Sequence, residues 1–251
     1  MFVRPPVEEY HGKLDYFYDP KLFPELSILK ENWKAIRDEI LDYESRKGEL
    51  KGMSAYTVPD TAGGQWTVKY LTSFMMHYHK NREEFPFICS IIDQIPNAVF
   101  ACISVLPPNS EIKPHYGDTN GIVRAHLGLI VPAAYPTIAI RVGDEERGWA
   151  EGELLSFINV QRHSVWNRSD KRRYVLMVDF VPEPLKHRQV EICARGLGSQ
   201  TFNIFYHKFW LVRKMPIFMH DAMCAIFALV WRVLLPVQRR FKFLSPPATG
   251  A

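Results

Sequence analysis

The chain has 251 residues, of which 47% are hydrophobic and 23% are charged, and this composition is typical of a folded globular protein rather than a disordered one. This length is enough for one sizeable domain with elaborations or for two small domains. The net charge of +4 is small, so the chain as a whole gives no reason to expect a nucleic-acid partner.

The cysteines and the N-terminus favour a cytoplasmic protein. The four cysteines are scattered, without a CxxC pair or zinc-like spacing. Cys89 and Cys102 lie in apolar runs, where a free thiol packs as a small hydrophobic group. The first 13 residues contain two prolines and two acids, whereas a secretory signal needs an unbroken apolar stretch.

Residues 1–97 are expected to form a helical and irregular part that packs on the core. After a Pro- and Tyr-rich arm over residues 1–22, apolar residues recur at spacings of three and four, which predicts one buried helical face. These residues are Leu26, Leu29, Trp33, Ile36 and Ile40. The polar stretch 44–64 predicts a loop, and a second short helix is expected over residues 84–95.

Residues 98–184 have the pattern of a β domain. Short apolar, β-branched runs follow one another and are separated by turn residues. The runs cover residues 99–106, 123–131, 137–142, 154–159 and 174–180. The charged residues 144–147 are interpreted as a solvated turn. Several short strands with regular turns predict a sandwich or barrel rather than an α/β sheet.

Residues 185–251 form a basic, apolar C-terminal extension. Its segment 208–242 contains seven Lys or Arg residues and one acid, Asp221, which gives a local net charge of +6. The uncharged run 222–231 is too short for a transmembrane helix, which needs roughly 20 apolar residues. A basic apolar helix can lie in a membrane interface. The alternative is a core or oligomer-interface helix with basic ends.

Two histidines and one arginine are the candidate functional residues of the β region. His115 and His163 stand beside apparent strands, in loops that a barrel presents at its mouth. Imidazole suits Fe(II) and Zn(II) alike. Arg173 begins an apolar strand, where a buried arginine needs an anion such as a dicarboxylate. The alternative is a surface arginine beside Lys171 and Arg172.

These residues belong to two segments that resemble the catalytic domain of the aspartyl/asparaginyl β-hydroxylases. The matching motifs are His115-x-Gly117, Arg124-x-His126-Leu-Gly-Leu, His163-x-Val-Trp and Arg173. The resemblance runs from about Trp66 to Pro184. It implies a mainly β fold with a double-stranded β-helix (jelly-roll) core, flanked by N-terminal helices and a C-terminal helical tail.

The resemblance also implies an Fe(II)- and 2-oxoglutarate-dependent dioxygenase that consumes O2 and releases succinate and CO2. His115 and His163 would bind the iron, and Arg124 would point toward the substrate. The residues that would hold the 2-oxoglutarate carboxylates or line their pocket are Trp66, Ser104, His126 and Arg173.

Gly117 stands where most dioxygenases of this kind have the carboxylate that binds iron. The animal β-hydroxylases share that glycine, so the resemblance implies two-histidine binding completed by water. Asp118 is one residue out of register and is kept as a further possible ligand, direct or through water.

Two departures from the family concern the substrate. Val68 and Cys102 stand where the animal enzymes carry polar groups, which favours a neutral or acyl substrate, whereas Arg124 favours an anion. Family analogy alone favours an amino-acid or peptidyl side chain of Asp or Asn type. The alternatives are a lipid acyl chain, of lipid A or ornithine-lipid type, with residues 208–242 peripheral on the inner face of a membrane, and a non-catalytic metal- or partner-binding barrel.

Overall fold

The structure is a computed structural model. It describes residues 16–50, 61–62, 65–117 and 119–241, with the backbone alone at 61–62 and 239–241.

The N-terminal region forms the predicted amphipathic helical face. Strand β1 (Phe17–Tyr18) and two 3-10 turns (Pro20–Leu22 and Pro24–Leu26) precede helices α1 (Ser27–Glu31) and α2 (Trp33–Lys47). Four of the five predicted apolar positions are buried, namely Leu26, Leu29, Ile36 and Ile40. Helix α2 ends at Gly48, whose φ of 80° lies in the left-handed region that glycine adopts readily.

The region between the helices and the β domain is only partly a loop. The end of helix α2, which continues to Lys47, and strand β2 (Thr61–Ala62) both lie within the stretch predicted as loop. Strands β3 (Thr67–Ser73) and β4 (Met76–His77) come next, then helices α3 (His79–Glu84) and α4 (Pro86–Ile92). Helix α4 confirms the predicted second short helix.

The remaining strands build two sheets. They are β5 (Ala98–Leu106), β6 (Ser110–His115), β7 (Val123–Ile130), β8 (Ile138–Val142), β9 (Glu145–Arg147), β10 (Leu154–Phe157), β11 (His163–Asn167) and β12 (Arg173–Phe180). One sheet contains the order β10-β7-β12-β5 and the other the order β6-β11-β8-β9, with antiparallel pairing throughout. This order is a jelly roll, and the predicted double-stranded β-helix is confirmed.

Several strands differ from the sequence-based prediction. The charged residues 145–147 are not a solvated turn but strand β9, a short edge strand paired with β8, where charged side chains remain in solvent. Strands β3, β6 and β11 were not predicted. Strand β3 pairs with β5, so residues before position 98 contribute to the same sheet as the predicted core region.

The two faces of the larger sheet carry different packing. Along β12, Tyr174, Leu176 and Val178 pack with the N-terminal helices, whereas Val175 and Met177 pack between the sheets. Successive side chains of a strand point to opposite faces, so Arg173 shares the inter-sheet face with Val175 and Met177. This face is where the candidate site residues of β5, β7 and β12 meet.

The C-terminal extension is helical. Helix α5 (Gln189–Lys208), helix α6 (Trp210–Lys214) and helix α7 (Ile217–Phe241) follow a 3-10 segment (Glu183–Arg188). Within α7, Ile217–Gln238 is long and apolar enough to cross a membrane by length and composition. The prediction that this segment is too short for a transmembrane helix was therefore wrong. The helix continues through Arg232 and Pro236 and does not end with the uncharged run.

The packing of α2 on the sheet yields a stability prediction. Ile36 is fully buried, so Ile36→Ala is expected to lower the free energy of unfolding by about 2–5 kcal/mol through lost burial and a residual cavity. Leu41 on the same helix is 43% exposed, and Leu41→Ala is expected to change stability by about 0.5 kcal/mol or less. Urea unfolding of both variants measures the difference, and equal losses would contradict this packing.

Candidate functional site

His115 and His163 form an imidazole pair at the ends of two adjacent strands. His115 is the last residue of β6 and His163 the first of β11, and the two are direct partners in the antiparallel register. Their ring centroids lie 4.1 Å apart with an interplanar angle of 54°. The two residues that the sequence placed in loops beside strands are therefore held by the strands themselves.

Main-chain carbonyls fix the orientation of both rings. The Nδ1 atoms of His115 and His163 lie 3.0 Å and 2.8 Å from the carbonyl oxygens of Lys113 and Gln161. A carbonyl can only accept a hydrogen bond, so each Nδ1 carries the proton and each Nε2 keeps its lone pair. This is the arrangement of metal-binding histidines, whose second ring nitrogen donates to a carbonyl or carboxylate.

The surroundings of the pair keep both rings neutral. Burial lowers the pKa of His115 to about 4. Burial, with the nearby His115, also holds the pKa of His163 well below its ordinary value. Metal coordination requires the neutral imidazole, so both rings are in the state that binds a metal at neutral pH.

The position of Gly117 leaves no room for a carboxylate side chain. A Cβ built on Gly117 would lie 2.1 Å from Nδ2 and 2.5 Å from the carbonyl oxygen of Asn159. Among the described residues no group of three or more His, Cys, Asp or Glu side chains converges on a possible metal. Asp118, the further ligand considered from the sequence, lies outside the described residues.

A chain of ring contacts leads from the imidazole pair to Arg173. The ring of Phe157 lies 5.6 Å from that of His163 and 5.0 Å from that of His126. His126 in turn stacks on Trp149 at 5.9 Å, and the Arg173 guanidinium lies 4.9 Å from the centroid of the same indole. The structure thus brings together His115, His163, His126 and Arg173, which are far apart in sequence.

Arg173 is a buried cation without a protein anion. Its side chain is 1% exposed, and it forms no ion pair within the described part of the chain. Its Nε has no hydrogen-bond partner there either. Burial lowers the pKa of Arg173 only to about 9, so the group stays charged at pH 7. Of the two readings that the sequence left open, the structure shows the buried arginine rather than the surface one, and its charge calls for an anionic ligand.

Other polar atoms beside Arg173 also have unused hydrogen-bonding capacity. Both ring nitrogens of His126 and Nε1 of Trp149 are buried without partners among the described residues. Buried polar groups in proteins are nearly always paired, so this group fits a polar molecule. Ser104 is buried and accepts a 2.8 Å hydrogen bond from Nε1 of Trp66, on the same inter-sheet face.

Arg124 has the anion that Arg173 lacks. Its Nε and an Nη donate to the two carboxylate oxygens of Asp179, at 2.7 Å and 2.6 Å, and its guanidinium lies 5.5 Å from the Phe100 ring centroid. The Asp179 side chain is fully buried. The charge-based reason for an anionic substrate at Arg124 therefore no longer holds, because β12 supplies that anion. A substrate contact at Arg124 stays a prediction.

Three residues of this region were not assigned a role from the sequence. Phe157 joins the imidazole pair to His126, Trp149 joins His126 to Arg173, and Asn159 fills the space beside Gly117. An aromatic residue in an apolar run is usually core, so spacing alone gave no signal for Phe157 or Trp149.

Comparison with known proteins identifies the family of the chain. Residues 30–182 match the family model described as aspartyl/asparaginyl beta-hydroxylase, which is more than half of the chain. The chain belongs to this family. The names of its relatives differ in the substrate that they state.

Two relatives illustrate the range of this β-hydroxylase family. The chain is 34% identical over 172 residues to an ornithine lipid ester-linked acyl 2-hydroxylase from Rhizobium tropici, covering 67% of this chain and 61% of the relative. It is 29% identical over 166 residues to the aspartyl/asparaginyl beta-hydroxylase of Homo sapiens, covering 60% of this chain and 20% of the relative. The matches thus span less than two thirds of the length of both relatives.

Among solved structures, a Pseudomonas putida prolyl-4-hydroxylase is similar with a TM-score of 0.40 and 15% sequence identity. The match covers 60% of this chain and 86% of the prolyl-4-hydroxylase chain.

The ion pair between Arg124 and Asp179 yields a second stability prediction. Asp179→Asn leaves the arginine largely buried without its anion, so we expect a loss of about 3–5 kcal/mol in the free energy of unfolding. The double variant Arg124→Met with Asp179→Leu removes both charges and is expected to recover most of that loss. Urea unfolding measures both, and a double variant no more stable than Asp179→Asn would contradict the pairing.

Proposed function

We propose that the protein is an Fe(II)- and 2-oxoglutarate-dependent hydroxylase. The observation that carries this proposal is the buried, unpaired Arg173, connected by ring contacts to two neutral histidines with free Nε2 atoms. A metal site next to a site for a small anion is what this chemistry requires. Family membership supports the same assignment.

The donor set fits the proposed metal and cosubstrate. His115 and His163 would hold iron through Nε2, and two protein ligands leave further coordination positions for the other reactants. When bound, iron and 2-oxoglutarate supply the O2 activation that hydroxylates an unactivated C–H bond, with succinate and CO2 released.

The protein groups around Arg173 would bind and orient 2-oxoglutarate. The guanidinium is suited to a bidentate contact with a carboxylate, and its charge is not neutralised within the described residues. The indole N–H of Trp149 and the proton-bearing nitrogen of neutral His126 are further donors for acceptor oxygens. The buried ring of Phe157 keeps water away between the two sites.

We further infer that the substrate is the acyl chain of a lipid. Val68 and Cys102, at the two positions that depart from the animal enzymes, are both buried in the apolar packing between the sheets. The opposing argument rested on Arg124, which is paired with Asp179. A relative named as a lipid acyl 2-hydroxylase, at 34% identity, also supports this substrate. An amino-acid or peptidyl side chain, favoured by family analogy, is the second candidate.

The cofactor assignment is tested by spectroscopy without any substrate. Anaerobic addition of Fe(II) and then 2-oxoglutarate to the full chain is expected to give a visible metal-to-ligand charge-transfer band. His163→Ala should abolish the band, because one of two protein ligands is lost. Arg173→Ala should raise the 2-oxoglutarate concentration needed for the band by roughly 10- to 150-fold. This factor corresponds to the free energy that one hydrogen bond to a charged group contributes to binding.

Matched controls separate these effects from general damage. His79→Ala removes a histidine outside the site, and Arg172→Ala removes the neighbouring arginine, which pairs with Glu44 and Glu49 at the surface. Both should keep the wild-type band. A folded wild-type protein that gives no band would refute the cofactor assignment.

The substrate class is tested by product mass. Purified enzyme with Fe(II), 2-oxoglutarate and O2 is incubated either with an ornithine lipid in mixed micelles or with Asp- and Asn-containing peptides. We expect one added oxygen on an acyl chain of the lipid, accompanied by succinate in equal amount. Oxygen added to a peptide side chain, with the lipid unchanged, would reject the acyl substrate in favour of the second candidate.

A further inference from the structure

Helix α7 has one face packed on the protein. Its His220 ring lies 5.2 Å from Phe202 of α5, and Nε1 of Trp231 donates to Oγ1 of Thr201 at 2.8 Å. Leu235, near the other end of α7, is fully buried in a cluster with residues of β4, β5 and α5. The helix is therefore attached to the protein along its length, and the segment from α5 to α7 is called the C-terminal hairpin below.

The opposite face of α7 is apolar and exposed. Side chains at spacings of three and four share one side of a helix. On this side lie Ile226 (58% exposed), Leu229 (64%), Val230 (47%), Val233 (65%) and Val237 (43%). No charged residue interrupts this set, which we call the outer stripe. A contiguous apolar surface of this kind indicates an interaction site rather than ordinary solvent-exposed surface.

The turn of the hairpin extends the apolar surface and surrounds it with positive charge. Large exposed side chains cluster where α5 ends and α7 begins, namely Phe205, Phe209, Trp210, Leu211, Ile217 and Phe218. Exposed basic residues lie among them: Lys208, Arg213 and Lys214. Lys214 lies over the Trp210 ring at 4.8 Å. Aromatic and basic side chains side by side are typical of helices that lie at a lipid surface.

We propose that the outer stripe and the hairpin turn bind the interface of an anionic phospholipid membrane. The apolar side chains enter the boundary between headgroups and acyl chains, while the basic residues contact lipid phosphates. The net charge of +6 over residues 208–242 complements an anionic surface, against which each Lys or Arg adds to the attraction.

The hairpin lies in the plane of the membrane rather than crossing it. A crossing by α7 would carry α5 into the lipid along with it, because the two helices pack together. Helix α5 carries Glu191, which pairs with Arg188 and with the exposed Arg195. Charged residues in the hydrocarbon core are costly. With α7 in the plane, its outer stripe contacts lipid and these charges remain in water.

The hairpin also touches the loop that follows the iron-binding candidate His115. A Cβ built on Gly121 would lie 2.7 Å from Cδ1 of Ile192 on α5, and Ile122 is buried in the same cluster as Ile192 and Leu235. Membrane binding by the hairpin would therefore hold this side of the site near the lipid. Only this consequence rests on the proposed function, since the docking surface itself does not require iron or 2-oxoglutarate.

Vesicle flotation of the full chain tests the docking surface. Without iron or 2-oxoglutarate, the protein is expected to float with vesicles of phosphatidylcholine and phosphatidylglycerol in equal parts, and less with pure phosphatidylcholine. Leu229→Asp with Val233→Asp, which alters two side chains of the outer stripe, should lower the partition coefficient by about tenfold or more. Arg213→Gln with Lys214→Gln should lower the partition coefficient roughly 30-fold, because each positive charge contributes a factor of about five.

A matched control uses an apolar side chain of equal exposure elsewhere. Leu22 is 64% exposed, as Leu229 is, but lies in the N-terminal region, so Leu22→Asp should bind vesicles like wild type. Wild-type protein that fails to float, or that floats as well with both stripe aspartates, would overturn the proposal. So would a dimer that binds no vesicles and dissociates in the stripe variant, since the occupant would then be a second copy.

Discussion

The burial of the Arg173 cation, which no described residue neutralises, is the constraint on which the rest of the proposed site depends. Arg173 opens the most deeply buried strand of the larger sheet, with helices packed on one side of that sheet and the second sheet on the other. A cation removed from water in this way is strongly destabilising unless an anion joins it. Buried nitrogens of His126 and Trp149, which have no hydrogen-bond partner among the described residues, lie beside the same cation. In the proposed function, this place in the fold is the site that binds a carboxylate of 2-oxoglutarate.

Two arginines on neighbouring strands show how strand register decides which buried cation is paired with a carboxylate. Arg124 on β7 is directly opposite Asp179 on β12, so the strand register itself pairs these two charges. Arg173 lies on the same face of β12 as Asp179 but at the other end of the strand, and it stacks on Trp149. Asp179 thereby neutralises Arg124, whereas no described residue neutralises Arg173. In the proposed function, Arg173 rather than Arg124 is therefore the group that binds the anion of the cosubstrate.

The C-terminal hairpin links the candidate site to the exposed outer stripe of α7. The cluster around Leu235 fixes it to the strands, Ile192 packs against the loop that follows His115, and the outer stripe is turned away from the protein. Helix α7 therefore has one face against the protein and an apolar face that is free to contact lipid. For a hydroxylase that acts on lipid chains, such a helix would bring the site and the membrane together without a separate recognition domain.

The sequence determined the family and much of the fold, and the tertiary structure decided how the charges are paired. Apolar periodicity predicted the buried face of α2 and the long strands, and the motifs around His115, His163 and Arg173 carried the family. Strands β6 and β9 gave no signal, because their charged residues hide the run of apolar, β-branched residues from which the other strands were predicted. Local sequence also cannot show that Asp179 neutralises Arg124 while nothing described neutralises Arg173. That distinction depends on strand register over 55 residues of separation, which only the folded sheet establishes.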